Sequence, residues 1–455
     1  MTEYLAGRAQ MGTSLGFHIV FASLGVGLPL LLCIVEGLGL LRRDSGWRLL
    51  ARRWSKAFGV LFAIGAVSGT VLSFELGLLW PGFMKFAGGI IGLPFSMEGF
   101  AFFIEAIFLG LYLYGWERLS PRAHWLCTVP LTLSGAASAW FVVTANAWMN
   151  SPTGFRLVAG RVLDVHPLQA ILNPGTPIET AHVMTSAYMA TGFAVAAVYA
   201  TGVLRGRRGL IYRRGLVVGM LLGAVCSPVQ IVLGDINARW VADHQPVKLA
   251  AMEGQFQTES GAPLRIGGFP APSQHRTVGA IEIPAGLSFL AYGDARAVVK
   301  GLDAFPAGLR PDPRPVHVGF QFMVAIGFAL LGLSAWFTLT LLKERRDAAA
   351  RRGRWPARLG LHQRALLSAI SVAGGLGFVA IEAGWIVTEI GRQPWIIYGV
   401  VRTAQAITPA PGLLWSFAIS TAIYVGLAVA LIALLLRLAA ATRRGGEAEL
   451  DVETI

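Results

Sequence analysis

Nine apolar runs decide what this chain can become. The hydrocarbon core of a bilayer is roughly 30 Å thick, and a helix rising about 1.5 Å per residue needs about 20 residues to cross it. Runs at about 12–41, 56–80, 93–115, 124–147, 178–204, 212–234, 316–342, 366–389 and 412–436 meet that length. Over 455 residues the chain is 55% hydrophobic and only 14% charged, with a mean hydropathy of +0.59, far more apolar than a water-soluble domain. The expected fold is an all-α integral membrane protein with about nine transmembrane helices in a bundle. The first run is too long, and too poor in preceding positive charge, for a cleaved signal peptide, so it is read as a span.

The net charge of +13 invites a nucleic-acid reading, but its distribution argues against one. Lys and Arg concentrate in alternate connections: six in 42–56, two in 117–123, five in 205–214, eight in 343–364 and three after 436. These make 24 of the 38, and eight more lie in one long connection, 235–315. Short basic loops stay on the cytoplasmic side, so the N-terminus is expected outside and the C-terminus in the cytoplasm. The basic balance reports topology and contact with membrane lipid. Cys33, Cys127 and Cys226 all fall inside spans, which indicates no disulfide framework, and no haem-attachment motif is present.

Four segments follow: spans 1–6 over 1–234, a loop over 235–315, spans 7–9 over 316–440, and a cytoplasmic tail over 441–455. The loop is rich in Pro, Gly and charge and too long for a passive connection, so it is expected to be functional and on the outer face.

Within the spans stand His18, Glu36, Glu75, Glu98, Glu105, His182, Glu382 and Glu389. An ionisable group at mid-bilayer costs roughly 2.5–3.5 kcal/mol on insertion scales and usually faces a cavity or a partner. Glu36, near the inner end of its helix, is expected to reach the interface. Glu98 and Glu105 are two turns apart on one helix face, and Glu382 and Glu389 repeat the spacing. Helix packing alone accounts for a single buried acid, whereas two such pairs favour a proton or ligand route.

Depth adds a second pattern. Thr176-Pro177-Ile178-Glu179 reads as a capping box with Pro at the first helical position, which puts His182 in the second turn, near the outer face. Met323 falls about two turns into helix 7, Glu389 at the outer end of helix 8 before Gly391 and Pro394, and His18 in the outer third of helix 1. These four are expected at one depth. His with Met makes a six-coordinate iron, while a lone His or carboxylate leaves a position open. A buried Met alone is ordinarily core filler and a membrane His often a helix-bridging donor, so composition and depth stop short of haem.

The motifs go further. Arg8-Ala9-Gln10, Gly16-Phe17-His18, Met97-Glu98-Gly99-Phe100-Ala101-Phe102-Phe103, Ala145-Asn146-Ala147-Trp148-Met149, Leu233-Gly234-Asp235, Lys248-Leu249-Ala250-Ala251-Met252-Glu253 and Gly391-Arg392-Gln393-Pro394-Trp395 resemble subunit I of the cytochrome bd-type quinol oxidases. The resemblance covers nearly the whole chain except the last helix and tail.

That resemblance implies a respiratory quinol:oxygen oxidoreductase, multi-pass in the bacterial cytoplasmic (inner) membrane. It implies two b-type haems and a third high-spin haem, d or b, with His182 and Met323 as axial ligands of the low-spin haem. His18 and Glu389 would ligate the high-spin pair, in an order it leaves open, with Trp385 beside the haems. Glu98 and Glu105 would carry protons, Lys248 and Glu253 would oxidise quinol in a short-type loop, and Arg392 would belong to the catalytic group. Implied partners are a subunit II, in some members a small single-span subunit, ubiquinol or menaquinol, and dioxygen. Where many relatives read Phe-Arg-x-Met, this chain reads Phe320-Gln321-Phe322-Met323. Together with Ile283-Pro284-Ala285-Gly286-Leu287-Ser288-Phe289-Leu290, this looks like the cyanide-insensitive branch.

If the haems lie near the outer face, electrons cross little of the membrane, and protons taken from the cytoplasm through Glu105 to Glu98 would build the potential without a pump. Each charge moved is worth about 2.3 kcal/mol per 100 mV. Two other classes stay open on the residues alone. A proton-coupled transporter also wants intramembrane acids but needs no His182 and Met323 at matching depth. An electron-transfer cytochrome without oxygen chemistry would hold only six-coordinate haem.

Overall fold

A computed structural model describes residues 2–207, 209–347 and 360–450. Among them nine helices are long and apolar enough to cross a membrane. They are α1 (Glu3–Arg42), α2 (Ser45–Leu79), α3 (Pro81–Tyr114), α4 (Thr128–Asn150, preceded by a short helix Pro121–Leu126), α5 (Thr176–Leu204), α6 (Leu210–His244), α7 (Pro313–Asp347), α8 (Leu361–Gly391) and α9 (Leu413–Leu450). The chain is thus a multi-pass, all-α membrane protein, as apolar run length requires.

Several helices outrun the apolar runs read from the sequence. α3 begins at Pro81, not 93, so Glu98 lies near the middle of the helix rather than one turn in. α6 continues ten residues beyond 234 to His244, which shortens the long loop at its start. Much of the basic 343–364 connection (348–359) and the last part of the expected tail (451–455) lie outside the described residues.

The arginine-rich ends are tied together. Asp44 caps α2 by accepting from the Gly46 N–H (2.9 Å) and pairs with Arg214 of α6 (3.0 Å). Partial burial pushes the Asp44 carboxyl up, but the Arg214 guanidinium and the Gly46 N–H outweigh it and hold it below its usual value. At the opposite face the Glu3 carboxylate of α1 accepts from Leu413 N (2.6 Å), capping α9.

Small residues let the inner helices approach. A Cβ on Gly192 of α5 would stand 2.7 Å from Gly223 N of α6, and one on Gly27 of α1 would overlap Thr191 of α5. Around these contacts Leu31, Leu32, Phe58, Phe193, Met220 and Leu367 form the main apolar core.

The loop between α6 and α7 has its own core. A short helix Pro246–Met252 leads into three small antiparallel ribbons, 259–260 with 298–299, 264–266 with 281–283 and 269–271 with 276–278. Leu249, Met252, Phe256, Leu287, Val299 and Leu302 pack together and onto Val316 of α7 and Val387 of α8. The loop is therefore a folded cap on the helix ends.

Candidate functional site

At the loop-bearing end, one buried polar network joins four helices. Arg392, just past α8 and 1% exposed, donates to Glu389 Oε2 (2.6 Å) and to Asn150 Oδ1 (3.2 Å). Asn146 donates to Glu389 Oε1 (2.7 Å). Asn150 donates to both oxygens of Glu179 (3.1 and 3.2 Å), and its Oδ1 also accepts from Lys248 Nζ (3.4 Å). Lys248, on Pro246–Met252, is itself buried, and burial pulls its amine down to about 8 against the opposing pull of Glu179.

This network corrects one expectation. Glu179 does not close a capping box: no side chain caps α5 at Gly175, and Thr176 Oγ1 donates instead to Ile171 O (2.8 Å). Asn173 Oδ1 accepts from the Gly175 and Thr176 N–H groups, which frees Glu179 to face Asn150. Asn146, Asn150 and Glu179 are members that motif reading passed over as site residues. The signal was there in the i, i+4 spacing of two asparagines inside an apolar helix.

Glu253 follows the short helix, buried, with one carboxylate oxygen lacking a hydrogen-bond partner. Burial pushes it up to about 7, with Arg265 opposing. Two α7 side chains one turn apart stitch the loop in place. His317 Nδ1 lies 2.8 Å from Met252 O and Nε2 3.1 Å from Gly267 O. Carbonyls only accept, so both bonds form together only when both ring nitrogens carry hydrogen. Gln321 accepts from Gly267 N (2.9 Å) and donates to Arg265 O (3.0 Å). A guanidinium has no acceptor, so an arginine at 321 could not make this pair of bonds.

The four candidate ligands stand apart. Among the described residues no three His, Cys, Asp or Glu side chains gather as a metal-ion site. Single donors suit an iron already held by a macrocycle, which needs one or two protein ligands. Ser68 Oγ donates to Gly65 O (3.0 Å), so at its 3.0 Å contact with His18 Nδ1 the hydroxyl accepts, and Nε2 keeps its lone pair for a metal. A Cβ on Gly69 would stand 2.8 Å from the His18 ring, and one on Gly384 3.1 Å from Met323 Sδ, so glycines leave room beside both. His182 backs onto Gly234, and Gln230 Nε2 sits 3.2–3.3 Å from both ring nitrogens. Glu389 already accepts on both oxygens, but a carboxylate offers about four lone-pair sites. The donor set therefore fits haem. Trp385 is half-buried on α8, on the same face as Glu382 and Glu389.

The expectation of a single depth holds only in part. A Cβ on Gly16, two residues before His18, would stand 3.2 Å from Glu382 Oε2, so His18 lies nearer the level of Glu382 than that of Glu389, two turns further along α8. Deeper still, Glu105 is buried between Gly25 of α1 and Gly135 of α4, its Oε1 without a partner, while Glu98 is half-buried on the same α3 face. Glu36 does not reach the interface. It is fully buried and bonded to Tyr112 and His124.

Comparisons with known proteins place the chain in a family. The chain is 36% identical to a Bacillus subtilis (strain 168) protein named provisionally as a cytochrome bd menaquinol oxidase subunit I, over 96% of both chains. It is 29% identical to the Escherichia coli (strain K12) cytochrome bd-II ubiquinol oxidase subunit 1, over 88% of each. Its fold matches the bd oxidase structure from Geobacillus thermodenitrificans with a TM-score of 0.86 at 36% identity, covering 96% of this chain and 98% of that one. The model of the family described as cytochrome bd terminal oxidase subunit I matches residues 6–443, and the chain belongs to that family.

Proposed function

We propose that this chain is the haem-bearing subunit of a quinol oxidase that oxidises quinol at the loop between α6 and α7 and reduces dioxygen to water. The observation that carries this reading is the hydrogen-bonded path from Lys248 of the loop through Asn150 to Arg392 and Glu389 of α8. It couples the place where quinol would dock to a candidate iron ligand.

His182 and Met323 would hold a low-spin b-type haem, and His18 and Glu389 a high-spin pair, one b-type and the other d- or b-type, beside Trp385. Bound haem supplies one-electron transfer and, where a coordination position is open, oxygen chemistry. The residues of this chain do the rest. Glu253, whose buried Oε2 has no hydrogen-bond partner, accepts a quinol proton. Lys248 holds a quinol oxygen, and Arg392 balances the charge of Glu389. His317 and Gln321 fix the loop over α7 so that quinol is held at one distance from Met323.

Protons for oxygen reduction enter from the arginine-rich side, which is the cytoplasmic one in this reading, and pass Glu105 before Glu98. The N-terminus then lies outside, in the bacterial inner membrane. A subunit II, and in some members a small single-span subunit, completes the enzyme; ubiquinol or menaquinol serves as donor. Reconstituted, uniformly oriented enzyme given quinol should consume oxygen, acidify the loop side and develop a potential. Proton uptake from the loop side, or turnover without a potential, would refute the reading.

A further inference from the structure

Outside the site just described, one buried polar cluster stands near the arginine-rich end. Glu36 of α1, Tyr112 of α3 and His124 of the short helix Pro121–Leu126 are all 0% exposed. Tyr112 Oη donates to Glu36 Oε2 (2.6 Å), and His124 Nδ1 lies 2.6 Å from Glu36 Oε1. His124 Nε2 lies 2.9 Å from Tyr112 O.

The proton count follows from donors and acceptors. Tyr112 O is a carbonyl and can only accept, so His124 Nε2 carries a hydrogen. At 2.6 Å the facing Nδ1 and Oε1 must share a proton, because two bare acceptors would repel at that distance. Either neutral His124 accepts from a protonated Glu36, or imidazolium donates to a carboxylate. In both cases the pair holds one exchangeable proton in a site walled from water.

The position of this proton is informative. Glu98, Glu105 and Tyr112 fall seven residues apart on α3, so they share a face at steps of about 10 Å. Glu105 lies against Gly25 of α1 and Gly135 of α4, and Tyr112 of the cluster lies two turns further along α3. Buried Leu28, Leu32, Leu109 and Leu131 occupy the levels between them, a short apolar stretch that a proton passing from Glu36 to Glu105 has to cross. On the far side Trp116 covers the His124 ring (centroids 4.1 Å apart), with the Arg48 and Arg52 guanidinium groups over Trp116 at 5.8 and 5.9 Å.

We infer that Glu36, His124 and Tyr112 form the proton-loading station of this oxidase, taking protons from the arginine-rich side beneath Trp116 and delivering them toward Glu105. The inference rests on the proton route proposed above. The pair's proton leaves toward Glu105, one from the arginine-rich side replaces it, and the cluster returns to its starting state. Trp116 is the gate, and the two arginines beside it keep other cations out.

The test uses the purified oxidase in uniformly oriented vesicles, with Glu36→Gln, Tyr112→Phe and Glu105→Gln compared. Glu36→Gln should slow quinol-driven oxygen reduction about tenfold or more. It should raise the H2O/D2O rate ratio and leave haem content and the KM for quinol unchanged. Tyr112→Phe, which keeps the acid and its His124 partner, should give a smaller loss with the same isotope signature. If both variants turn over at the parent rate and ratio while only their thermal stability falls, the cluster is structural and the inference is overturned. If Glu105→Gln also leaves proton uptake from the arginine-rich side untouched, the route itself is wrong and the inference falls with it. Loss through Glu105→Gln alone sinks the station and leaves the route standing.

Discussion

Lys248 and Arg392, from the loop and from the end of α8, share one acceptor, Asn150 Oδ1, at 3.4 and 3.2 Å. Two buried cations can meet at one neutral amide because Glu179 and Glu389 supply compensating charge on either side of it. The loop between α6 and α7 and the end of α8 are in this way held in a single electrostatic unit.

Asn150→Ala should therefore do more than remove a hydrogen bond. It strips the shared acceptor from both cations and the donor from Glu179, and breaking a buried charge network costs about 3–5 kcal/mol. The thermal unfolding midpoint of the purified enzyme should drop, and quinol oxidation should fail before haem content does. Asn150→Asp keeps the acceptor but sets a second carboxylate against Glu179, so it should restore stability only in part.

The pH dependence of quinol oxidation should report Glu253. Burial raises its carboxyl to about 7, so the proton-accepting carboxylate is scarce below that pH and dominant above it. The quinol-driven rate should climb as pH rises through 7. Glu253→Gln should lower the rate by about 10²-fold and flatten that limb. Should the limb persist in Glu253→Gln, another group is the base.

Gln321→Ala removes both bonds to the 265–267 backbone while His317 keeps its own. Each lost bond costs about 1 kcal/mol, so the loop should loosen locally while the bundle keeps its stability. Faster amide exchange over 264–269 and a higher KM for quinol are the expected readouts. Equal exchange in variant and parent would show that the loop's own core holds it.

The nine spans are legible in the sequence because bilayer thickness turns apolar run length into structure. Their ends are not: α6 extends through the polar turns of 235–244, and α3 begins in the glycine-rich stretch 81–92, which interrupts an apolar run without ending the helix. Glu98, Glu105, His18 and Lys248 stand out as isolated polar residues in apolar surroundings or inside family motifs. Glu36 and His124 are 88 residues apart, and nothing local shows that they meet. Glu179 misleads for a related reason: its spacing from Thr176 fits a cap, but a buried amide from α4 offers a better partner than the helix terminus does.

Reduced-minus-oxidised spectra of the purified enzyme, with carbon monoxide added and haem extracted, test the oxidase reading most directly. Expected are a narrow low-spin band, a carbon monoxide-sensitive high-spin signal and three haems per chain, with Met323→Leu weakening or shifting only the low-spin band. A protein without haem bands, or one whose haem is wholly six-coordinate and blind to carbon monoxide, would contradict it.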